Sequence, residues 1–152
     1  MDHGIIALTD CQVAFVAEQK IDEIGRSTPA LTRAFWRSTL IDEAILRRWL
    51  VQSGRGDAFT TVGHLIGELY VRARLVGLTE DHTLQLPVTQ EEIADATGLT
   101  TVHVNRVLRQ LRDAGIATIK RGMLAIHDVE ALHRETGFDP SYLHLSPHDS
   151  RA

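Results

Sequence analysis

The chain has 152 residues, 43% of them hydrophobic and 24% charged, with a formal net charge of −4. That is enough for one or two small domains with a real core, in the composition of an ordinary globular protein. No apolar stretch approaches the roughly 20 residues of a membrane span. The opening MDHGIIALTD lacks the basic region and long apolar run of a signal peptide, and the one cysteine, Cys11, excludes an intrachain disulfide and disfavours a Cys-ligated cluster. Together these features point to the cytoplasm.

Residues 4–8 and 12–17 are two β-like runs split by Thr9 and Asp10. Two strands alone are marginal, so they call for a partner sheet. Residues 18–24 form a short helix ended by Gly25. Ser27 or Thr28 can cap the next helix, with Pro29 in its first turn. That helix runs over 29–53 without a breaker and is apolar nearly all round (Leu31, Phe35, Trp36, Leu40, Ile41, Ile45, Leu46, Trp49 and Leu50). Such a helix must bury more than one face. One face can lie on the N-terminal strands. Another, Ala34, Ser38, Ile41, Ile45 and Arg48, has the spacing to meet a second copy of itself as a coiled coil; the alternative is the central helix of a monomeric bundle. Gly54, Arg55 and Gly56 make a hinge. Asp57 or Thr60 caps the following helix, which carries Phe59, Val62, Leu65, Ile66, Leu69, Tyr70 and Leu75 and stops at Gly77. A polar turn over 79–82 and an extended segment over 83–87 follow.

Residues 89–111, TQEEIADATGLTTVHVNRVLRQL, are the most informative run. Thr89 followed by Glu92 is a capping box. Ile93 and Ala94 point inward, and Ala94 is small because a second helix crosses over it. Gly98 ends the first helix in a left-handed conformation that only glycine adopts cheaply. Leu99 plugs the corner and Thr100 caps the second helix. Val104, Val107, Leu108 and Leu111 form its buried stripe. Thr101, Val102, His103, Asn105, Arg106 and Arg109 are left on or near the outward side. This is a helix-turn-helix whose second helix is suited to a DNA major groove, although two short helices of any small helical domain would share some of these signals. Strand-like runs over 116–119 and 123–126, joined by Lys120, Arg121 and Gly122, add a hairpin with a cationic tip. It reads as the wing of a winged helix, placed to touch phosphate. Residues 128–136 form a last short helix, with a tail ordered to about Leu145 and loose beyond.

Charge supports this reading more than the net value suggests. Over residues 100–122, Arg106, Arg109, Arg112, Lys120 and Arg121 stand against Asp113 alone, a local excess of +4 on an acidic chain. Arg106 is the first choice for direct readout, as a bidentate partner of guanine. Asn105 can pair with adenine or meet a phosphate. Thr101, Val102 and His103 lie in the first turn, where Val102 can pack on a thymine methyl or turn inward. Thr89, Gln90 and Thr100 at helix N-termini, with Arg109, Lys120 and Arg121, are the phosphate candidates. His127 with His133, or His144 with His148, could pair on a metal, but neither set has third and fourth ligands at a recognisable spacing. No nucleophile elbow or Gly-rich phosphate loop is present, so no enzyme is expected. No cofactor is expected either.

The order of these parts, and TVHVNR over 101–106 in particular, resembles the Crp/Fnr family of bacterial transcription regulators. The resemblance covers nearly the whole chain and is most specific over 57–126. It implies a mainly α fold with a small β component: a remnant of a β-roll sensor over 1–28, a dimerisation helix over 29–53, a winged helix-turn-helix over 54–127 with its hinge at 54–56, and a C-terminal helix and tail over 128–152. It implies a homodimer on double-stranded DNA with a two-fold symmetric operator, and RNA polymerase as a candidate partner. The alternative is an interaction subunit that pairs with a longer relative and modulates it. Two departures stand out. The strands and cyclic-nucleotide cassette of a full sensor roll are absent, so no cyclic-nucleotide response is expected. Many members have a cytosine-reading Glu where this chain has Val102, while the guanine-reading Arg106 is retained.

Overall fold

A computed structural model describes residues 4–7 and 9–145 of the chain. It is mainly helical with one small antiparallel sheet, as expected. The N-terminal strands are a correction. Residues 4–7 and 11–17 adopt no regular secondary structure and join no ladder, and they are exposed throughout, Phe15 to 91%; Leu8 lies outside the described residues. A strand is stabilised by a neighbour's backbone, and the sheet that does form draws its strands from residues 79–126 and is already complete without them.

The first helix, α1 (Glu18–Ser27), continues through Gly25 instead of ending there, with Glu18 in its first turn and Arg26 in its last complementing the helix dipole. Thr28 separates it from α2 (Pro29–Arg55) but gives no side-chain cap; Pro29 sits in the first turn of α2, where a missing N–H costs nothing. With 27 residues, α2 is about 40 Å long. It runs on through Gly54 and Arg55, two of the three residues read as a hinge, and the break before the next helix is confined to Gly56 and Asp57. Gly56 is extended, and a Cβ there would lie 2.7 Å from the Gln52 carbonyl oxygen. The Gln52 amide ties the corner by donating to the Thr60 hydroxyl at 3.1 Å.

The next helix, α3 (Ala58–Leu75), is capped by Asp57, whose carboxylate accepts the Thr60 N–H at 2.8 Å. It is the central element: Val62, Ile66, Tyr70 and Val71 lie in the core, and His64 and Glu68 are buried beside them. Residues 79–82, expected as a turn, instead open a hairpin. Strands β1 (Thr79–Glu80) and β2 (Thr83–Gln85) flank Asp81 and His82, both at positive φ. The helix-turn-helix then follows as α4 (Gln90–Thr97) and α5 (Thr101–Asp113), and the wing as β3 (Ala117–Lys120) and β4 (Met123–Ile126). The sheet order is β1-β2-β4-β3, with Leu84 opposite Leu124 and Lys120 opposite Met123.

The chain closes with α6 (Val129–Thr136), capped by Asp128, and a 3-10 turn over Pro140–Leu143. This C-terminal segment packs between α2 and α3. Phe138 is buried against Gly67, where a Cβ would come within 2.6 Å of its ring, and Tyr142 donates to Glu68 at 2.7 Å. Glu68 also accepts from Trp49 Nε1 at 2.9 Å and from Arg72 at 3.2 Å, so one buried carboxylate links α2, α3 and the tail. Burial holds the Tyr142 hydroxyl well above the usual phenol range. The tail beyond Leu145 lies outside the described residues.

The tail also decides which face of α2 is covered. Ala44 is buried, and Ile41, Ile45 and Arg48 are half-buried; Arg48 donates to the Gly137 carbonyl at 3.3 Å and stacks over Tyr142. Three members of the stripe read for self-association therefore sit on their own chain, while Ala34 and Ser38 are exposed. The opposite face of α2 is exposed and mixes apolar side chains, Trp36 at 68% and Leu50 at 74%, with the Glu43–Arg47 ion pair.

Candidate nucleic-acid interface

The capping box of α4 forms as read. The Thr89 hydroxyl accepts the Glu92 N–H at 3.1 Å while Glu92 accepts the Thr89 N–H at 2.7 Å. These bonds hold the Glu92 carboxyl below its usual range. Gly98 closes the helix at φ 66°, the left-handed conformation expected of it. Thr100 caps α5 by accepting from His103 N–H at 3.3 Å. Val104, Val107 and Leu111 are buried and Leu108 and Leu99 half-buried, so the inward stripe and the corner plug fall where periodicity put them.

With that stripe fixed, helical geometry decides the rest. Thr101, Val102, His103, Asn105, Arg106 and Arg109 are all exposed. Val102 is 75% exposed, which resolves its two readings in favour of the outward one. Two concavities flank this outward face. The larger, about 370 Å³, lies between α5, the start of α4 and the wing, and is lined by Gln90, Asn105, Leu108, Arg109, Arg112, Thr118, Ile119 and Lys120. The smaller, about 200 Å³, places Arg106 and Gln110 of α5 beside Asp57 and Phe59 at the start of α3. Arg121, at φ 53°, forms the tip of the wing with Gly122.

The electrostatics are uneven across this face. Arg112 is paired with Asp113 at 3.0 Å. Arg106, Arg109, Lys120 and Arg121 have no carboxylate partner among the described residues. Arg112 was not among the candidates, and its place in the wing-side concavity follows only from how β3 packs on α5. The contact between Gln90 and Asn105, 3.2 Å from amide oxygen to amide nitrogen, was also not foreseen, because it joins residues on different helices. Of the histidines weighed as metal ligands, His127 instead contacts the Thr118 hydroxyl at 3.0 Å and His133 packs edge-on against Phe138; His148 lies outside the described residues. Among the described residues no helix is long and apolar enough to cross a membrane.

Residues 62–135 match the Crp-like helix-turn-helix domain family. The helix-turn-helix segment of this chain is thus of the Crp-like kind. It is 28% identical over 141 residues to the transcriptional activator protein FnrL of Cereibacter sphaeroides, a match covering 90% of this chain and 57% of that relative. It is 25% identical over 129 residues to the nitrogen fixation regulation protein FixK of Azorhizobium caulinodans, covering 84% and 52%. The structure of FixK2 from Bradyrhizobium japonicum superposes with a TM-score of 0.69 at 22% identity, over 78% of this chain and 58% of that one, a likeness of fold. The chain thus spans little more than half the length of the relatives it matches.

Proposed function

We propose that this chain binds DNA as a homodimer and reads a two-fold symmetric operator with the N-terminal half of α5. The observation that carries this reading is the outward face of that helix: Val102, Asn105, Arg106 and Arg109 stand exposed between the start of α3 and a wing tipped by Arg121. In the proposed complex Arg106 meets guanine, Val102 a thymine methyl and Asn105 a second base, while Thr101 and His103 flank them. Thr89, Gln90, Thr100, Arg109, Lys120 and Arg121 meet phosphates. Four cations without carboxylate partners among the described residues can neutralise phosphate without first breaking an ion pair recorded there.

Pairing is assigned to α2. Its exposed side chains Phe35, Trp36, Leu40, Leu46 and Leu50, interrupted by the Glu43–Arg47 ion pair, are the face left for a second copy beside Ala34 and Ser38, while Ile41, Ile45 and Arg48 are half-buried within the chain. Two α2 helices packed there would set two α5 helices about 34 Å apart, one turn of DNA. The corner at Gly56 is where the heads would reorient on α2. The direct test is an equilibrium titration of the chain against duplexes carrying one or two half-sites, with sedimentation in parallel. Specific binding that needs both half-sites and a dimer supports the proposal. Dimers that bind no DNA would replace it with the interaction-subunit reading.

A further inference from the structure

We infer that Gln90 is a positioning residue that fixes the base read by Asn105, and that this base is adenine. The inference rests on the DNA-reading proposal above and assigns to one of its side chains a chemistry beyond a phosphate contact. Gln90 is the first residue of α4 and Asn105 the fifth of α5; both are exposed, and both line the wing-side concavity. The Asn105 amide donates from Nδ2 to Gln90 Oε1 at 3.2 Å.

A carboxamide has two N–H donors and one carbonyl acceptor, and rotating it about its last bond exchanges their places. Once one N–H is committed to Gln90, Asn105 presents one donor and one acceptor in a fixed order. That order suits the major-groove edge of adenine, which offers N7 as acceptor and the N6 amino group as donor. Guanine offers two acceptors, N7 and O6, and calls for two donors. With the Gln90 amino group turned to phosphate, Gln90 can only accept from Asn105, and an Asn105 carboxamide held in that way cannot supply both donors, whereas a freely rotating one can turn its amino group towards guanine. Gln90 keeps its own amino group for phosphate, so a backbone contact and a base contact are joined through one hydrogen bond. The Thr89–Glu92 capping box lies beside this contact and does not depend on the Gln90 side chain.

The test uses the full chain, its selected operator, and operators carrying each base pair in turn at every position. The wild type, Gln90→Ala, Gln90→Glu and Asn105→Ala variants are compared by anisotropy titration, with circular dichroism to establish folding. Gln90→Ala is expected to reduce the adenine-over-guanine preference at one position per half-site by about fivefold, the lower end of a bidentate contact, leaving other positions unchanged. Asn105→Ala is expected to abolish preference at that same position. Gln90→Glu keeps an acceptor for Asn105 but places a negative charge near phosphate, so it should preserve the preference while weakening all sequences alike. A selective wild type whose Gln90→Ala variant loses affinity evenly and keeps every preference would overturn this inference alone. A wild type that binds every duplex equally would overturn the DNA reading, and this inference with it.

Discussion

Arg106 and Arg121 are both exposed arginines near the same proposed groove, yet they should fail differently when removed. Arg106→Ala is expected to relax selectivity at a single base pair, by about 1–3 kcal/mol, because it would remove the proposed base-edge contact. Arg121→Ala should weaken every sequence alike and reduce the slope of log affinity against log salt by about one. Titrations at two salt concentrations check both; uniform losses in both variants would contradict the assignment of roles. A third expectation concerns His64. It is buried at the joint of α2, α3 and the tail, and its pKa is pushed down to about 4, first by burial and then by the Arg48 charge, with Glu68 opposing. Between pH 6.5 and 4 the unfolded chain takes up a proton that the folded chain refuses. Stability is therefore complete above pH 6.5 and falls by up to about 3 kcal/mol as pH drops to 4. Denaturation across that range should show the slope, and His64→Gln should flatten it. Asp57 and Asp139 are held below the usual carboxyl range by backbone N–H bonds from Thr60 and Ser141, so their contributions are lost at lower pH.

What could be read from sequence divides by the range of the contacts involved. The capping box, the Gly98 terminus and the α5 stripe are set by residues within four positions of one another, and each was legible. The β1–β2 hairpin was not, because its strands are very short and its turn is made by Asp81 and His82 in place of the usual glycine. The tail clamp was hidden for a different reason: Tyr142 meets His64 and Glu68 from more than 70 positions away. Periodicity alone showed that α2 is apolar on several faces, but only the docked tail shows which is covered. Two substitutions probe these elements. Gly98→Ala is expected to cost about 1–2 kcal/mol through the left-handed backbone alone, since the space beyond it is open. Gly67→Ala should cost about 1–3 kcal/mol by driving a methyl into the Phe138 ring. Chemical denaturation of each variant measures both.

For the molecule as a whole, the chain joins a long helix with an exposed, partly apolar face to a helix-turn-helix and hairpin whose outward side is polar and cationic. In the proposed complex neither would suffice alone: a single head would offer few phosphate and base contacts, and pairing without heads would read nothing. Trp36→Lys combined with Leu40→Lys places charge on the exposed face of α2, away from the Leu46–Leu50 end that meets α4, and should yield a folded monomer that binds a symmetric site no better than a single half-site. The most direct measurement is selection of bound sequences from random duplex DNA by the wild-type chain. The expected result is a two-fold symmetric motif with half-site centres about 10 base pairs apart, carrying one guanine–cytosine pair whose selection disappears in Arg106→Ala. Recovery of a lone half-site, of half-sites at random spacing, or of no motif would contradict the dimeric reading head.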